Sequence, residues 1–106
     1  MSASRSIHRI DKFVVPPEAV PVFVAQMQRI QRILRTLPGC LGQMVLTQAG
    51  GSGAFNVLTL VEWQSQDAIA AAQAVVQRIF AEEGFDPAAF SRSLGVHADL
   101  GFYELA

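Results

Sequence analysis

A single cysteine, Cys40, in 106 residues excludes an intramolecular disulfide and any cysteine-based zinc cluster. Charge is scarce as well. Charged residues make up 16% of the chain, and eight Lys plus Arg stand against nine Asp plus Glu for a formal net charge of -1. No basic field is present to hold a phosphate backbone, so no nucleic-acid partner is expected. No apolar run approaches the roughly 18 residues that cross a bilayer, and no apolar core follows Arg5 in the way a secretory signal requires. The expectation is a soluble, cytoplasmic chain with no membrane partner. Its length leaves room for one domain over residues 1–106, with residues 1–6 as a flexible tail. What the chain has in excess is apolar surface, at 51% of residues against a lower share in typical soluble domains. A domain this small has little interior, so the surplus is expected to cover a subunit interface or to line a cavity.

Apolar periodicity gives the order of elements. Residues 7–15 are rich in β-branched side chains and run into Pro16-Pro17, which cannot continue a ladder, so they read as a first strand. Val20, Phe23, Val24, Met27, Ile30, Leu34 and Leu37 then step by three or four and predict a helix over 17–37, with Arg29, Arg32 and Arg35 on its solvated face. Pro21 has no N–H for the carbonyl four residues back, which leaves the start of that helix open by a turn. Residues 41–48 and 55–63 read as strands joined across the glycine cluster 49–53. That cluster is followed by a strand, and no lysine is near it, so it is a hairpin connection and not a phosphate cradle.

Ser65 is placed to cap a second helix that carries Asp67 in its first turn and Ile69, Ala72, Val76, Ile79 and Phe80 as its stripe, and that ends at Gly84. Asp86 and Pro87 open a short third helix, and residues 96–105 return to strand character. The order β-α-β-β-α-(short α)-β is that of the split βαβ, ferredoxin-like α+β fold, an antiparallel sheet with its helices on one face. In residues 55–63, Phe55, Val57, Thr59, Val61 and Trp63 alternate with Asn56, Leu58, Leu60 and Glu62, so both sheet faces carry large apolar groups. Helices on one side cover only one face. A homodimer that closes a barrel from two sheets is the economical cover for the other.

These features together resemble the antibiotic biosynthesis monooxygenase-like family of dimeric α+β barrel proteins. The likeness runs over residues 7–104 and is carried by Leu58-Thr59-Leu60-Val61-Glu62-Trp63-Gln64-Ser65-Gln66-Asp67-Ala68. Supporting cues are Pro16-Pro17-Glu18, Leu37-Pro38-Gly39-Cys40 and Gly84-Phe85-Asp86-Pro87. The resemblance implies a pocket between sheet and helices, and an activity among cofactor-free oxygenases of polycyclic phenols, small quinol oxygenases and haem degraders. Haem degraders are similar in having a Trp at the position of Trp63, together with a strand-one Asn and a histidine on the following helix. Here Asp11 stands nearest the Asn, and residues 65–83 contain no histidine, which puts haem degradation low.

Cofactor-free oxygenation needs a base, a stabiliser for the resulting anion and a dry pocket. His97 is the candidate base, sharing a strand face with Asp99, Gly101 and Tyr103 if no bulge intervenes. That face is either a pocket wall or turned toward a second subunit. Asp11, on the face of Phe13 and Val15, is the alternative base if burial raises its pKa, although a solvated or Arg-paired carboxylate is the commoner outcome. Trp63 offers a flat surface and one N–H to an aromatic ligand, or it anchors the second helix. Phe13, Val61, Phe80, Phe85 and Tyr103 are the candidate ligand contacts; Phe80, Phe85 and Phe90 cluster at the end of the second helix as core or as a lid, core being the commoner outcome. His8 reads as an edge residue and Cys40 as small apolar filler. Two functions follow: a monooxygenase that takes a small phenolic or quinol-like substrate and molecular oxygen with no cofactor or metal, or a homodimeric module that binds a small aromatic molecule without turnover or is purely structural, its pocket filled by side chains.

Overall fold

The computed structural model describes residues 5–106, so most of the expected N-terminal tail lies outside the described residues. Strand β1 (Ile7–Val14) leads through a 3-10 turn at Pro17–Ala19 into helix α1 (Val20–Leu34). Strands β2 (Cys40–Thr47) and β3 (Val57–Trp63) follow, then α2 (Gln66–Glu83), α3 (Pro87–Leu94) and β4 (His97–Tyr103). Every pairing is antiparallel, in the order β2-β3-β1-β4. This is the ferredoxin-like α+β arrangement. Helix α1 is shorter than the apolar stripe: Pro21 sits in its first turn, where a missing N–H costs nothing, and a 3-10 turn takes up the residues before it.

The local signals act where their chemistry places them. Ser65 Oγ accepts from the Ala68 N–H at 3.1 Å, and Asp86 Oδ1 accepts from Ala88 and Ala89 at 3.0 and 3.2 Å. Gly84 and Gly95 close α2 and α3 in the left-handed conformation. Gly39 is positive in φ too, and it is also pressed from outside, since an added Cβ would fall 2.5 Å from the Ala68 Cβ. The turn into β2 therefore lies against the first turn of α2.

Asn56, just ahead of β3, locks the end of β1. Its Nδ2 donates to the Val15 carbonyl and its Oδ1 accepts from the Val15 N–H, each at 2.8 Å. A side-chain amide thus replaces the ladder that Pro16 and Pro17 cannot extend.

Along β3, Val57, Thr59, Val61 and Trp63 are all buried and face the helices. They divide into two clusters. Val57 packs with Phe13, Val15, Ala19, Phe23 and Val96, and Phe23 and Val57 are fully buried. Val61 and Trp63 pack with Ile69 and Ala72 of α2, against Ile7, Leu34 and Cys40. The opposite face carries Met44, Leu46, Val14 and Tyr103, 50%, 43%, 39% and 43% exposed, beside the half-buried Ile10, Leu58 and Leu60. This apolar outer face is the feature from which the dimer was expected.

Candidate functional site

A cavity of about 890 Å³ lies between the inner sheet face and the helices, bordered by members of both core clusters. Its floor comes from β1, β3 and β4. Arg9, Asp11 and Phe13 alternate along β1, with Thr59 and Leu100 directly opposite Asp11 on its two neighbouring strands. Val61 and Trp63 complete the floor; Met27, Ile30, Gln31 and Leu34 of α1 form one wall, and the Gln73, Val76, Gln77 and Phe80 face of α2 the other. Phe85, Phe90 and the first turn of α3 close the end. Leu100 and Phe102, on the inner face of edge strand β4, remain 56% and 50% exposed and mark an open side.

In this largely apolar chamber one ion pair stands out. Arg9 Nε donates to both oxygens of Asp11, at 3.1 and 3.2 Å. The Asp11 side chain is only 15% exposed. Burial pushes its carboxyl above the ordinary carboxylate value, and the Arg9 hydrogen bond and charge pull it down without cancelling that rise. The Arg9 guanidinium lies 5.5 Å over the Phe102 ring. Its terminal nitrogens donate to no group among the described residues, and neither does the Trp63 indole N–H.

The sequence candidates separate by face. Asp11, Trp63, Phe13, Val61, Phe80 and Phe85 all line the cavity. His97 and Tyr103 do not. β4 runs without a bulge, with Ala98, Leu100 and Phe102 opposite Phe13, Asp11 and Arg9; His97 and Tyr103 are opposite Val14 and His8 on the outer face. Strand alternation alone therefore removes the imidazole from the cavity. Phe80, Phe85 and Phe90 are both core and wall: Phe85 packs at 5.1 Å on Phe80 and 5.6 Å on Phe90, which stacks on the fully buried Phe23 at 6.3 Å.

Three polar groups were missed. Arg9 was readable, because it lies two residues before Asp11 on the same strand face. Gln31 interrupts the apolar stripe between Met27 and Leu34, and its buried Nε2 donates to the Met44 carbonyl at 2.8 Å, tying α1 to the sheet. Arg29 was expected on a solvated face; it instead reaches Glu83 of α2 at 3.2 Å and covers Phe85 at 5.6 Å, which links the two helices over the cavity. Among the described residues no group of three or more His, Cys, Asp or Glu is gathered to hold a metal ion.

The sequence profile of antibiotic biosynthesis monooxygenases matches residues 6–75, from the tail into the middle of α2. The chain belongs to the antibiotic biosynthesis monooxygenase family. No curated protein matches it. Solved structures similar to this family member are remote in sequence and show the shared fold. A Shewanella loihica PV-4 protein superposes with a TM-score of 0.73 at 15% identity, over 99% of this chain and 98% of that one. SnoaB, a cofactor-independent oxygenase from Streptomyces nogalater, gives 0.68 at 19% identity, over 96% and 94%. MhuD, in a mutant form with two manganese protoporphyrin IX molecules bound per active site, gives 0.72 at 20% identity, over 94% of each chain.

Proposed function

We propose that this family member is a cofactor-independent monooxygenase of a small phenolic or quinol-like aromatic, with Asp11 as the base and Trp63 bordering the cavity in which the ring lies. The observation that carries this reading is an ion-paired carboxylate, raised in pKa by burial, on the floor of a chamber walled mostly by apolar side chains; Asp86, the other carboxylate among its described lining residues, is taken up in capping α3. A base held out of water is a stronger proton acceptor than a solvated carboxylate. The substrate O–H bond breaks, its proton passes to an Asp11 oxygen, and the electron pair stays on the ring. A ring carbon of the electron-rich anion bonds to one atom of molecular oxygen, and the proton held by Asp11 passes to the outer oxygen to give a hydroperoxide. The C–H bond at that carbon and the O–O bond then break, the ring hydrogen leaves with the outer oxygen as water, and the ring, which supplies the electrons, keeps one oxygen as a quinone carbonyl. The protein's part is to orient the ring, take the proton and keep water from the anion.

Haem does not fit this donor set. Helix α2 has no histidine, and the cavity lining offers no imidazole, thiolate or phenolate to an iron. The functional unit we infer is a cytoplasmic homodimer joined through the outer sheet face; its apolar side chains and the lone free cysteine support this. A second reading, a binder of small aromatics without turnover, draws on the ion pair itself, since a paired carboxylate is also a common structural element.

Oxygen uptake with a panel of hydroxynaphthalenes and quinols separates the two. Turnover that drops at least ~100-fold in Asp11→Asn is expected for the enzyme. Saturable quenching of Trp63 with no oxygen uptake by any member of the panel would leave the binder. His97→Ala is expected to turn over as the wild type does.

A further inference from the structure

Among the described residues, three charged groups line the cavity, Arg9, Asp11 and Asp86. Asp86 is committed to capping α3, where its Oδ1 takes two backbone N–H groups. Arg9 is then the one cation among the described lining residues that a bound molecule meets. It is engaged through Nε alone, steadied beneath by Phe102, and its side chain is 34% exposed. A guanidinium carries five donors in a rigid fork, so most of its hydrogen-bonding capacity remains for a ligand. At the partly exposed edge of a largely apolar chamber, a bound ring that covers Arg9 would strengthen those donors by displacing water from them.

Resting on the oxygenase reading above, we propose that Arg9 is the anion receptor of the site. When Asp11 takes the substrate's proton, Arg9 exchanges its carboxylate partner for the oxyanion left on the ring, so the cavity selects acidic hydroxyarenes and holds them as anions. Charge is moved and not created. Before transfer the cavity holds one guanidinium and one carboxylate; afterwards it holds one guanidinium and one aryl oxyanion, and Asp11 is a neutral acid. The adjacent placement of Arg9 and Asp11 on one strand face lets a single ring oxygen approach both groups. Such a swap avoids the uncompensated buried charge that a lone base would leave.

The probe is 4-nitrophenol, kept free of oxygen so that no turnover occurs, whose anion alone absorbs visibly. It is titrated into the full chain below its own solution pKa, with quenching of Trp63, the chain's single tryptophan, reporting occupancy. The wild type is expected to bind the coloured anion. Arg9→Met is expected to bind the colourless phenol, with affinity for the anion reduced by ~10-fold or more. Arg9→Lys keeps the charge and should retain the coloured complex, which covers the case in which the Met variant does not fold. Asp11→Asn releases the guanidinium and should bind the anion at least as tightly as the wild type. A coloured complex in Arg9→Met at wild-type affinity, or a colourless one in the wild type or in Arg9→Lys, would overturn the assignment while leaving the aromatic cavity intact. Absence of any Trp63 response in the wild type would remove both the cavity reading and this one.

Discussion

Asp11 and Trp63 have different energetic consequences although they share one cavity. Burial holds Asp11's pKa in the folded chain above its unfolded value, so folding favours its neutral form. Its contribution is therefore most favourable below the unfolded pKa and is lost as pH rises through the folded one. Asp11→Asn removes the carboxylate's desolvation cost. It is expected to raise stability at neutral pH, with the gain shrinking toward zero in acid; urea unfolding at several pH values measures it. The same variant should lose turnover, so stability and activity move in opposite directions at one residue. Trp63 is 4% exposed and joins β3 to α2. Trp63→Ala is expected to cost about 3–5 kcal/mol by denaturant unfolding. Trp63→Phe should keep most of that stability and lose the indole N–H at the cavity border, seen as weaker binding of an aromatic ligand with little change in the melting temperature.

Among the elements, glycines with the same backbone sign do unequal work. Gly84 has open space where a Cβ would go, so Gly84→Ala is expected to cost only the left-handed strain of about 1–2 kcal/mol. Gly39 carries the same strain, and its added Cβ would also meet Ala68, so Gly39→Ala is expected to cost about 3 kcal/mol or more and to loosen the α2 start under Trp63. Thermal unfolding of the two variants side by side gives the comparison. Helix α3 buries none of its residues and is bounded at both ends by positive-φ glycines, Gly84 and Gly95. Its amides are expected to exchange fastest among the helices and to gain protection when an aromatic ligand fills the cavity, which hydrogen exchange with and without ligand reads. The sequence shows the caps, the stops and the Leu37-Pro38-Gly39-Cys40 turn because each is a local backbone requirement. It does not show that Gly39 must also make room for Ala68, because that contact joins residues far apart in the chain.

For the protein taken together, the outer sheet face is the decisive surface. Met44, Leu46 and Tyr103 stand on it about half exposed, and polar pairs, His8 with Glu62 and Lys12 with Asp99, each at 3.8 Å, lie among them. If two such faces meet, Leu46→Lys places a charge in a desolvated interface, and sedimentation is expected to show monomer at micromolar concentration where the wild type sediments as a dimer. A wild type that sediments as a monomer would remove the dimer from the functional unit. Cavity and outer face lie on opposite sides of one sheet, so the Leu46→Lys monomer should still bind an aromatic ligand.

The order of elements, the helix caps and stops, and the two-sided apolar character of the strands were all legible in the chain. These are set by periodicity and by the backbone demands of Ser65, Asp86, Pro21 and the glycines, all of which act over a few residues. Asp11, Trp63 and the Phe80–Phe85 pair could be picked out as residues of interest in the same way. The parity of β4 that faces inward could not, because alternation defines two faces without saying which one the helices cover. Packing made that choice; it set His97 and Tyr103 outside and brought Leu100 and Phe102 beside Asp11 and Arg9. The reach of Arg29 to Glu83, and of Gln31 to the Met44 carbonyl, was likewise settled by the assembled layers, since a helical wheel gives the direction of a side chain and not what it meets there.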